Sequence, residues 1–387
     1  MICQHFGICG GCSFQDVEYP VQLKNKHDRV TGLLSQFECG NVHPIIPSEN
    51  IFRYRNKVEL AFGDEKDTGK NMLGFRQKNR FSRIVNIEDC LLISEKANSV
   101  VHKVRNWVNK SGLPVYNQVK HTGFFRYLVM RETSTGELMV NLIVNCTAYQ
   151  FEYEHKSMFA EFAASFGADV TSFFTGVNDT KSDVARVDKI YLLAGRDCIT
   201  EQIGNYKYRI SPTTFFQTNK FTVNSLYSTI KQYAAGDNGI ATCLDIYCGS
   251  GTISIFVSDL FDKVIGIESN PDSVADALKN IELNKIKNCE FVTERAEVML
   301  GRLFETKFNV RLSTVIVDPP RPGLAKSVVS SLMELNPNKI VYVSCNPETL
   351  VNDLQAMTKF YRITDIQAVD MFPHTPHVET VVKLAHK

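Results

Sequence analysis

The sequence lacks the marks of a membrane or secreted chain. No apolar run reaches about 18 residues, the length a bilayer-spanning helix needs, so no membrane association is expected. Its start, Met1-Ile2-Cys3-Gln4, shows no basic, then apolar, then small-residue pattern, so no signal peptide is expected. Net charge is almost absent: 43 Lys+Arg against 42 Asp+Glu gives +1, which alone argues neither for nor against a nucleic-acid partner. Repeats, low-complexity tracts and Pro-rich linkers are missing as well. So is a G-x-G-x-x-G loop, the fingerprint of a dinucleotide pyrophosphate site.

What is present suits a globular chain of two domains. The 387 residues are 44% hydrophobic and 22% charged, enough to bury two cores. Charge is unevenly spread. Residues 1–120 hold 17 Lys+Arg against 12 Asp+Glu, and the remainder holds 26 against 30. The eleven cysteines (3, 9, 12, 39, 90, 146, 198, 243, 248, 289 and 345) are odd in number in a long, unsecreted chain. That argues for reduced thiols in a cytoplasmic protein, some of them ligands or catalysts, rather than a disulfide framework. A monomer is expected.

From about residue 240 short apolar runs alternate with helical patterns. Ala241–Tyr247, Lys263–Ile267, Cys289–Val292, Ser313–Val317 and Lys339–Ser344 read as buried strands, and Pro271–Leu283 reads as a helix with proline in its first position. Such alternation predicts a parallel sheet covered by helices, with Val378–Leu384 a late strand beside Lys339–Ser344. Up to about residue 210 the pattern is different: alternating runs such as Leu138–Val144 and Tyr206–Ile210 suggest antiparallel strands mixed with helices, and Asp64–Gly74 reads as a charged turn. The expected architecture is therefore α/β: an N-terminal α+β domain over 1–200 and a Rossmann-like domain over 201–387.

Asp245-Ile-Tyr-Cys-Gly-Ser-Gly-Thr252 ends a strand and opens a helix. Gly249 and Gly251 let the backbone bend sharply and approach a ligand. Glu268, 23 positions after Asp245, closes the next strand, where an acid accepts hydrogen bonds from ribose hydroxyls. A D-x-x-x-G-x-G loop with a following acid suits S-adenosylmethionine, which has a ribose but no phosphate. Two motifs follow at later strand ends: Asp318-Pro-Pro-Arg321 and Ser344-Cys-Asn-Pro347. Ligands bind beyond the carboxyl ends of strands in such sheets. Cys345 precedes an expected helix start, which would lower its pKa.

The chemistry gives that thiol a task. C5 of uracil is a poor nucleophile toward a methyl sulfonium. A thiolate that adds to C6 turns the ring into an enolate with electron density at C5, which can then attack the methyl group. A base must afterwards remove the C5 proton so that the thiolate can leave. Glu379, at the start of a strand expected near Cys345, is the candidate. Methylation of an exocyclic amine would suit D-P-P followed by an aromatic residue. Position 321 is Arg, and an amine reaction leaves the thiol without a role.

Cys3, Cys9 and Cys12 lie in a glycine-rich loop and Cys90 supplies a fourth thiol. Four thiolates can hold a [4Fe–4S] cluster or zinc; a three-plus-one arrangement favours the cluster. Arg53, Arg55 and Lys57, then Arg76, Lys78, Arg80 and Arg83, are interleaved with Phe52, Tyr54, Phe75 and Phe81, as in surfaces that pair phosphates and stack splayed bases.

Together these motifs, with Phe215-Phe-Gln-Thr-Asn219 and Met371-Phe-Pro-His-Thr375, resemble the RNA 5-methyluridine methyltransferases, the uracil-C5 family acting on 23S ribosomal RNA or on the T-loop of transfer RNA. The resemblance covers nearly the whole chain. It implies a class I methyltransferase domain, an RNA-recognition domain carrying a [4Fe–4S] cluster on Cys3, Cys9, Cys12 and Cys90, and adenosylmethionine contacts at Gln217, Tyr247, Glu268 and Asp318, beside Gly249. It makes Cys345 the nucleophile and Glu379 the base. Many relatives carry a β-barrel ahead of the cysteines, and its absence points to the 23S ribosomal RNA members. The T-loop of transfer RNA is the alternative substrate. An alternative of another class is a non-catalytic, redox-sensing RNA-binding protein, and a small-molecule methyltransferase is a third.

Overall fold

The computed structural model describes residues 1–65, 69–236, 241–305 and 312–387. Its strands run in chain order β1 (Cys39–Ile46), β2 (Lys57–Asp64), β3 (Asn71–Gln77), β4 (Arg80–Asn86), β5 (Phe125–Glu132), β6 (Leu138–Val144), β7 (Ser172–Val177), β8 (Lys189–Gly195), β9 (Ile199–Ile203) and β10 (Tyr206–Ile210). They continue with β11 (Thr242–Ile246), β12 (Lys263–Glu268), β13 (Cys289–Thr293), β14 (Leu312–Val317), β15 (Lys339–Ser344), β16 (Tyr361–Val369) and β17 (Glu379–His386).

The apolar runs after residue 240 form the centre of an eight-stranded sheet in the order β1-β16-β17-β15-β14-β11-β12-β13. β11, β14 and β15 are buried along their whole length, as strands covered by helices on both faces must be. All neighbouring pairs are parallel except those made by β17, which runs antiparallel between β15 and β16. This is a Rossmann-like methyltransferase sheet. The order reverses between β11 and β14, which opens a crevice at their carboxyl ends. The expected helix forms at Pro271–Asn284, with Asn270 capping the Asp272 N–H at 2.9 Å.

The second sheet has seven strands in the order β4-β3-β2-β5-β6-β7-β8 and is antiparallel apart from β6 with β7. Helix Glu95–Lys110 lays Val100, Val104 and Val108 on it. The charged turn expected over 64–74 is shorter than the sequence suggests. Asn71–Gly74 already pairs with β2, so only the middle is a connection, and residues 66–68 lie outside the described residues. β10 pairs with β9 in a two-stranded ribbon.

The chain does not divide cleanly at residue 200. Helix Tyr19–Leu34 buries Val30 and Leu34 in the core of the eight-stranded sheet, and β1 pairs with β16 at its edge. Residues 19–46 thus belong structurally with the later half, because an edge strand satisfies its backbone wherever a partner edge is free. The linker 214–219 returns the favour. Asn56 donates to the Gln217 carbonyl at 3.0 Å, and Arg131 of β5 donates to the Thr214 carbonyl, so the two sheets are stitched at the crevice.

Candidate active site

The turn after β11 is forced close to β12. The Tyr247 and Cys248 N–H groups donate to Ile267 O at 3.0 and 3.1 Å, and Tyr247 takes a positive φ of 67°. Gly251 is obligatory, since a Cβ there would meet Phe291 Cζ at 2.5 Å. Gly249 faces open space, the side from which a ligand can approach. Glu268 closes β12 with its carboxylate accepting from Gly249 N–H at 3.1 Å and Asn270 N–H at 2.7 Å. Asp318 lies just beyond β14, next to β11, so Tyr247, Gly249, Glu268 and Asp318 come to the same edge of the sheet. Gln217 is buried in the linker clamped by Asn56.

Asp245 was read from the sequence only as the start of the loop. In the fold it is wholly buried, with Oδ2 accepting from the Ser254 hydroxyl at 2.5 Å and Oδ1 without a hydrogen-bond partner among the described residues. Burial pushes its carboxyl up to about 7, and burial plus the Asp245 charge pushes Asp318 up to about 7. The signal was the acid that opens the motif; its burial could not be read from the motif.

The candidate catalytic pair is brought together by strand register. Ser344 pairs with Thr380 across β15 and β17, so the residue just after β15 and the first of β17, Cys345 and Glu379, stand opposite one another. Cys345 is half-buried and pinned by its neighbours: Ser344 donates to Asn346 O at 2.9 Å, and Asn346 caps helix Pro347–Met357. The expected pKa-lowering by that helix start is overturned. Burial, then the charges of Glu379 and Asp318, push the thiol up to about 11, against a smaller downward pull from Arg321. Glu379 is 3% exposed, and burial with the nearby Asp318 raises it to about 8. Arg321, quoted in the sequence motif without a role, is the cation that acts on both groups.

The four N-terminal thiols line one small, solvent-open pocket, walled by Phe6, Phe75, Ile87, Leu91 and Leu92. Among the described residues, no group of three or more His, Cys, Asp or Glu is placed to hold a single metal ion. A lone zinc at about 2.3 Å from each sulfur would need the thiols drawn tightly together. Donors do surround the sulfurs: Gln15 Nε2 to Cys12 at 3.1 Å, Gly11 N–H to Cys9 at 3.4 Å and His5 N–H to Cys3 at 3.5 Å. Burial pushes Cys9 up to about 11 and Cys12 up to about 12, and raises Cys90. These thiols would ionise only against a strong positive charge.

The basic stretches are split by the fold. Lys78 and Arg80 are exposed on the β3–β4 hairpin. Arg53 is engaged by Asp89 and by the carbonyls of Cys90 and Ile93. Lys57 pairs with Glu59, Arg76 with Asp183, and Arg55 donates to Lys57 O at 2.9 Å. Tyr54 is buried and Phe75 packs on the core, so those rings are not free to stack on bases. The alternation that looked like an RNA face is partly the pleat of β2 and β3.

Residues 18–387 match the sequence profile of the tRNA (uracil-5-)-methyltransferase family. A tRNA (uracil(54)-C(5))-methyltransferase of Pyrococcus horikoshii is 36% identical over 385 residues, covering 99% of this chain and 85% of its own. A protein of Caldanaerobacter subterraneus named as an uncharacterized RNA methyltransferase is 36% identical over 387 residues, covering 98% and 83%. Among solved structures, the Pyrococcus abyssi tRNA (uracil-54, C5)-methyltransferase bound to S-adenosyl-L-homocysteine superposes with a TM-score of 0.77 at 32% identity, over 98% of this chain and 86% of that one.

Proposed function

The chain belongs to the tRNA (uracil-5-)-methyltransferase family, and we propose that it transfers a methyl group from S-adenosylmethionine to C5 of a uridine in structured RNA, through a Cys345–C6 adduct resolved by Glu379. The observation that carries this reading is the β15–β17 register, which sets a half-buried thiol opposite a buried carboxylate at the mouth of the cofactor crevice. Gln217, Tyr247, Gly249, Glu268 and Asp318 would hold the cofactor, Glu268 as an acceptor for ribose hydroxyls and Asp318 with Asp245 as a source of negative potential, and the cofactor would supply the methyl group. Arg321 favours the thiolate as it adds to C6. Methyl transfer to C5 leaves a saturated carbon bearing the proton that Glu379 removes, and the re-formed double bond expels the thiolate. Glu379, with a pKa near ambient pH, suits a base of this kind.

Cys3, Cys9, Cys12 and Cys90 would hold a [4Fe–4S] cluster. The shared apolar cavity and the N–H donors around the sulfurs fit such a group, which would supply the positive charge these thiols need. The RNA meets the protein at the exposed Lys78 and Arg80. The target uridine is flipped out or in a loop, because C6 is hidden in a helix. The RNA is either 23S ribosomal RNA or transfer RNA, and the names of the two Pyrococcus relatives favour transfer RNA. Tritium-methyl transfer to unmodified transcripts of each, followed by mapping of the labelled nucleotide, tests the proposal. Label at C5 of one uridine supports it; label elsewhere, or none, rejects it.

A further inference from the structure

Glu379 is the first residue after the connection between β16 and β17, so the shape of residues 370–378 decides where its carboxylate stands. That connection is held to an unusual degree. Four successive carbonyls are each claimed by a different part of the chain. Met371 O accepts from Asn219 at 3.1 Å, Phe372 O from Lys26 at 2.9 Å and Pro373 O from the Tyr54 hydroxyl at 3.0 Å. His374 O accepts from the N–H groups of Ser13 and Phe14 at 2.8 and 3.1 Å. His374 itself sits at a φ of +65°, a conformation a non-glycine residue keeps only where its surroundings impose it.

The element that reads this connection is helix Tyr19–Leu34. Its buried stripe is Gln22, Lys26, Val30 and Leu34, at a spacing of four. The two lower positions are apolar. The two upper ones are polar and nearly inaccessible, Gln22 at 1% and Lys26 at 3% exposure. A helix that needed only to pack would place apolar side chains there. Lys26 meets the buried Asp370 at 2.6 Å. Gln22 engages both ends of its amide: Oε1 accepts the His374 N–H at 2.8 Å, while Nε2 donates to Phe14 O and Val17 O at 2.8 Å and lies 3.1 Å from His374 Nδ1. The ring of His374 is stacked on Phe52 at 4.7 Å.

We propose that Gln22 is a positioning residue for the proton acceptor. It grips the His374 turn with one end and the exit of the cysteine loop with the other, so the site of Glu379 is set from the loop that carries Cys9 and Cys12. The inference rests on the reading of Glu379 as the base. Gln15 completes the link, since its amide donates to Cys12 and its carbonyl accepts from Cys3 N–H at 2.7 Å. A displaced turn would leave cofactor binding, thiol addition and methyl transfer in place and slow the removal of the C5 proton.

The test compares Gln22→Met, which keeps volume without hydrogen bonds, with Glu379→Gln. A second variant, His374→Asn, tolerates the positive φ and keeps the backbone N–H but loses the ring. Each is incubated with S-adenosylmethionine and unmodified transfer RNA and 23S ribosomal RNA transcripts. We expect both Gln22→Met and His374→Asn to lower kcat about 100-fold with KM nearly unchanged, as an ångström-scale misplacement does. Denaturation-resistant protein–RNA adduct should build up with S-adenosylhomocysteine affinity preserved, while Tm falls in Gln22→Met, whose buried partners lose their hydrogen bonds. Normal turnover without adduct in both variants overturns the inference. So does a loss of activity matched by loss of S-adenosylhomocysteine binding, which would mark a purely structural role. If Glu379→Gln fails to accumulate adduct while Gln22→Met does, the base has been misassigned and the proposal falls with it.

Discussion

Two regions of this molecule bury thiols, and they do so in opposite electrostatic company. The N-terminal cavity gathers four cysteines among phenylalanine, leucine and isoleucine, with backbone and amide N–H groups aimed at the sulfurs. The strand-end site holds one cysteine beside two carboxyl groups, Glu379 and Asp318, with Arg321 opposing them. Cys9 and Cys345 are both pushed up to about 11, and burial is the leading cause for each. The comparison teaches that a raised thiol does not identify its use. On the proposed reading, the apolar cavity would be completed by permanent positive charge, as a cluster supplies, and the acidic site transiently, by a cationic sulfonium and an electrophilic ring.

The comparison breaks most sharply at Cys345. Cys345→Ala should lower methyl transfer about ten-thousand-fold or more and abolish the covalent RNA adduct, read on a denaturing gel. A cysteine taken from the other site should instead change spectrum and stability. For the protein purified without oxygen, Cys12→Ser should remove absorption near about 400 nm and lower Tm by several degrees. A colourless parent protein carrying stoichiometric zinc would contradict the cluster.

The acidic site makes a prediction about pH. Asp245, Asp318 and Glu379 have folded pKa values of about 7, 7 and 8, all raised above those of unfolded chains. The folded state therefore binds more protons than the unfolded one between about pH 4 and 8, and the ligand-free protein loses stability as pH rises through that window. Tm measured from pH 8 down to pH 6 should climb, and Asp245→Asn should flatten the slope. S-adenosylmethionine, a cation, should raise Tm more than neutral S-adenosylhomocysteine at pH 8; equal shifts would mean that the carboxylates do not face the sulfonium. The smallest effect is at the surface. Replacing Lys78 and Arg80 together should weaken RNA binding several-fold and reduce its log–log salt slope by about 1 to 2.

Much of the catalytic half was legible. A run such as Lys339–Ser344 has the length and β-branched content of a buried strand, and Pro271 marks a helix start by its fixed φ and missing donor. The N-terminal half was harder. The β2–β4 stretches alternate polar and apolar residues because one face of a sheet is buried, and the same alternation mimics an RNA-binding stripe. Arg53 looked free in the sequence, yet Asp89 and two carbonyls occupy it. Gln22 and Lys26 carried no signal in the sequence, because a lone helical pattern cannot tell a solvent face from one turned toward buried Asp370 and His374.

The sequence by itself determined the chemistry on offer: a glycine turn for a cofactor, a thiol and a carboxylate at strand ends, and four N-terminal cysteines. Those are local properties, fixed by residue type and short spacing. Tertiary structure decided what the groups feel and which of them meet. The antiparallel insertion of β17 brings Glu379 opposite Cys345, although 34 positions separate them. Burial raises the thiol that its helix start was expected to lower, because desolvation and two carboxylates act together on one small volume. Helix Tyr19–Leu34 grips the turn that leads into Glu379, since hydrogen bonds and ion pairs answer to distance in space and not along the sequence.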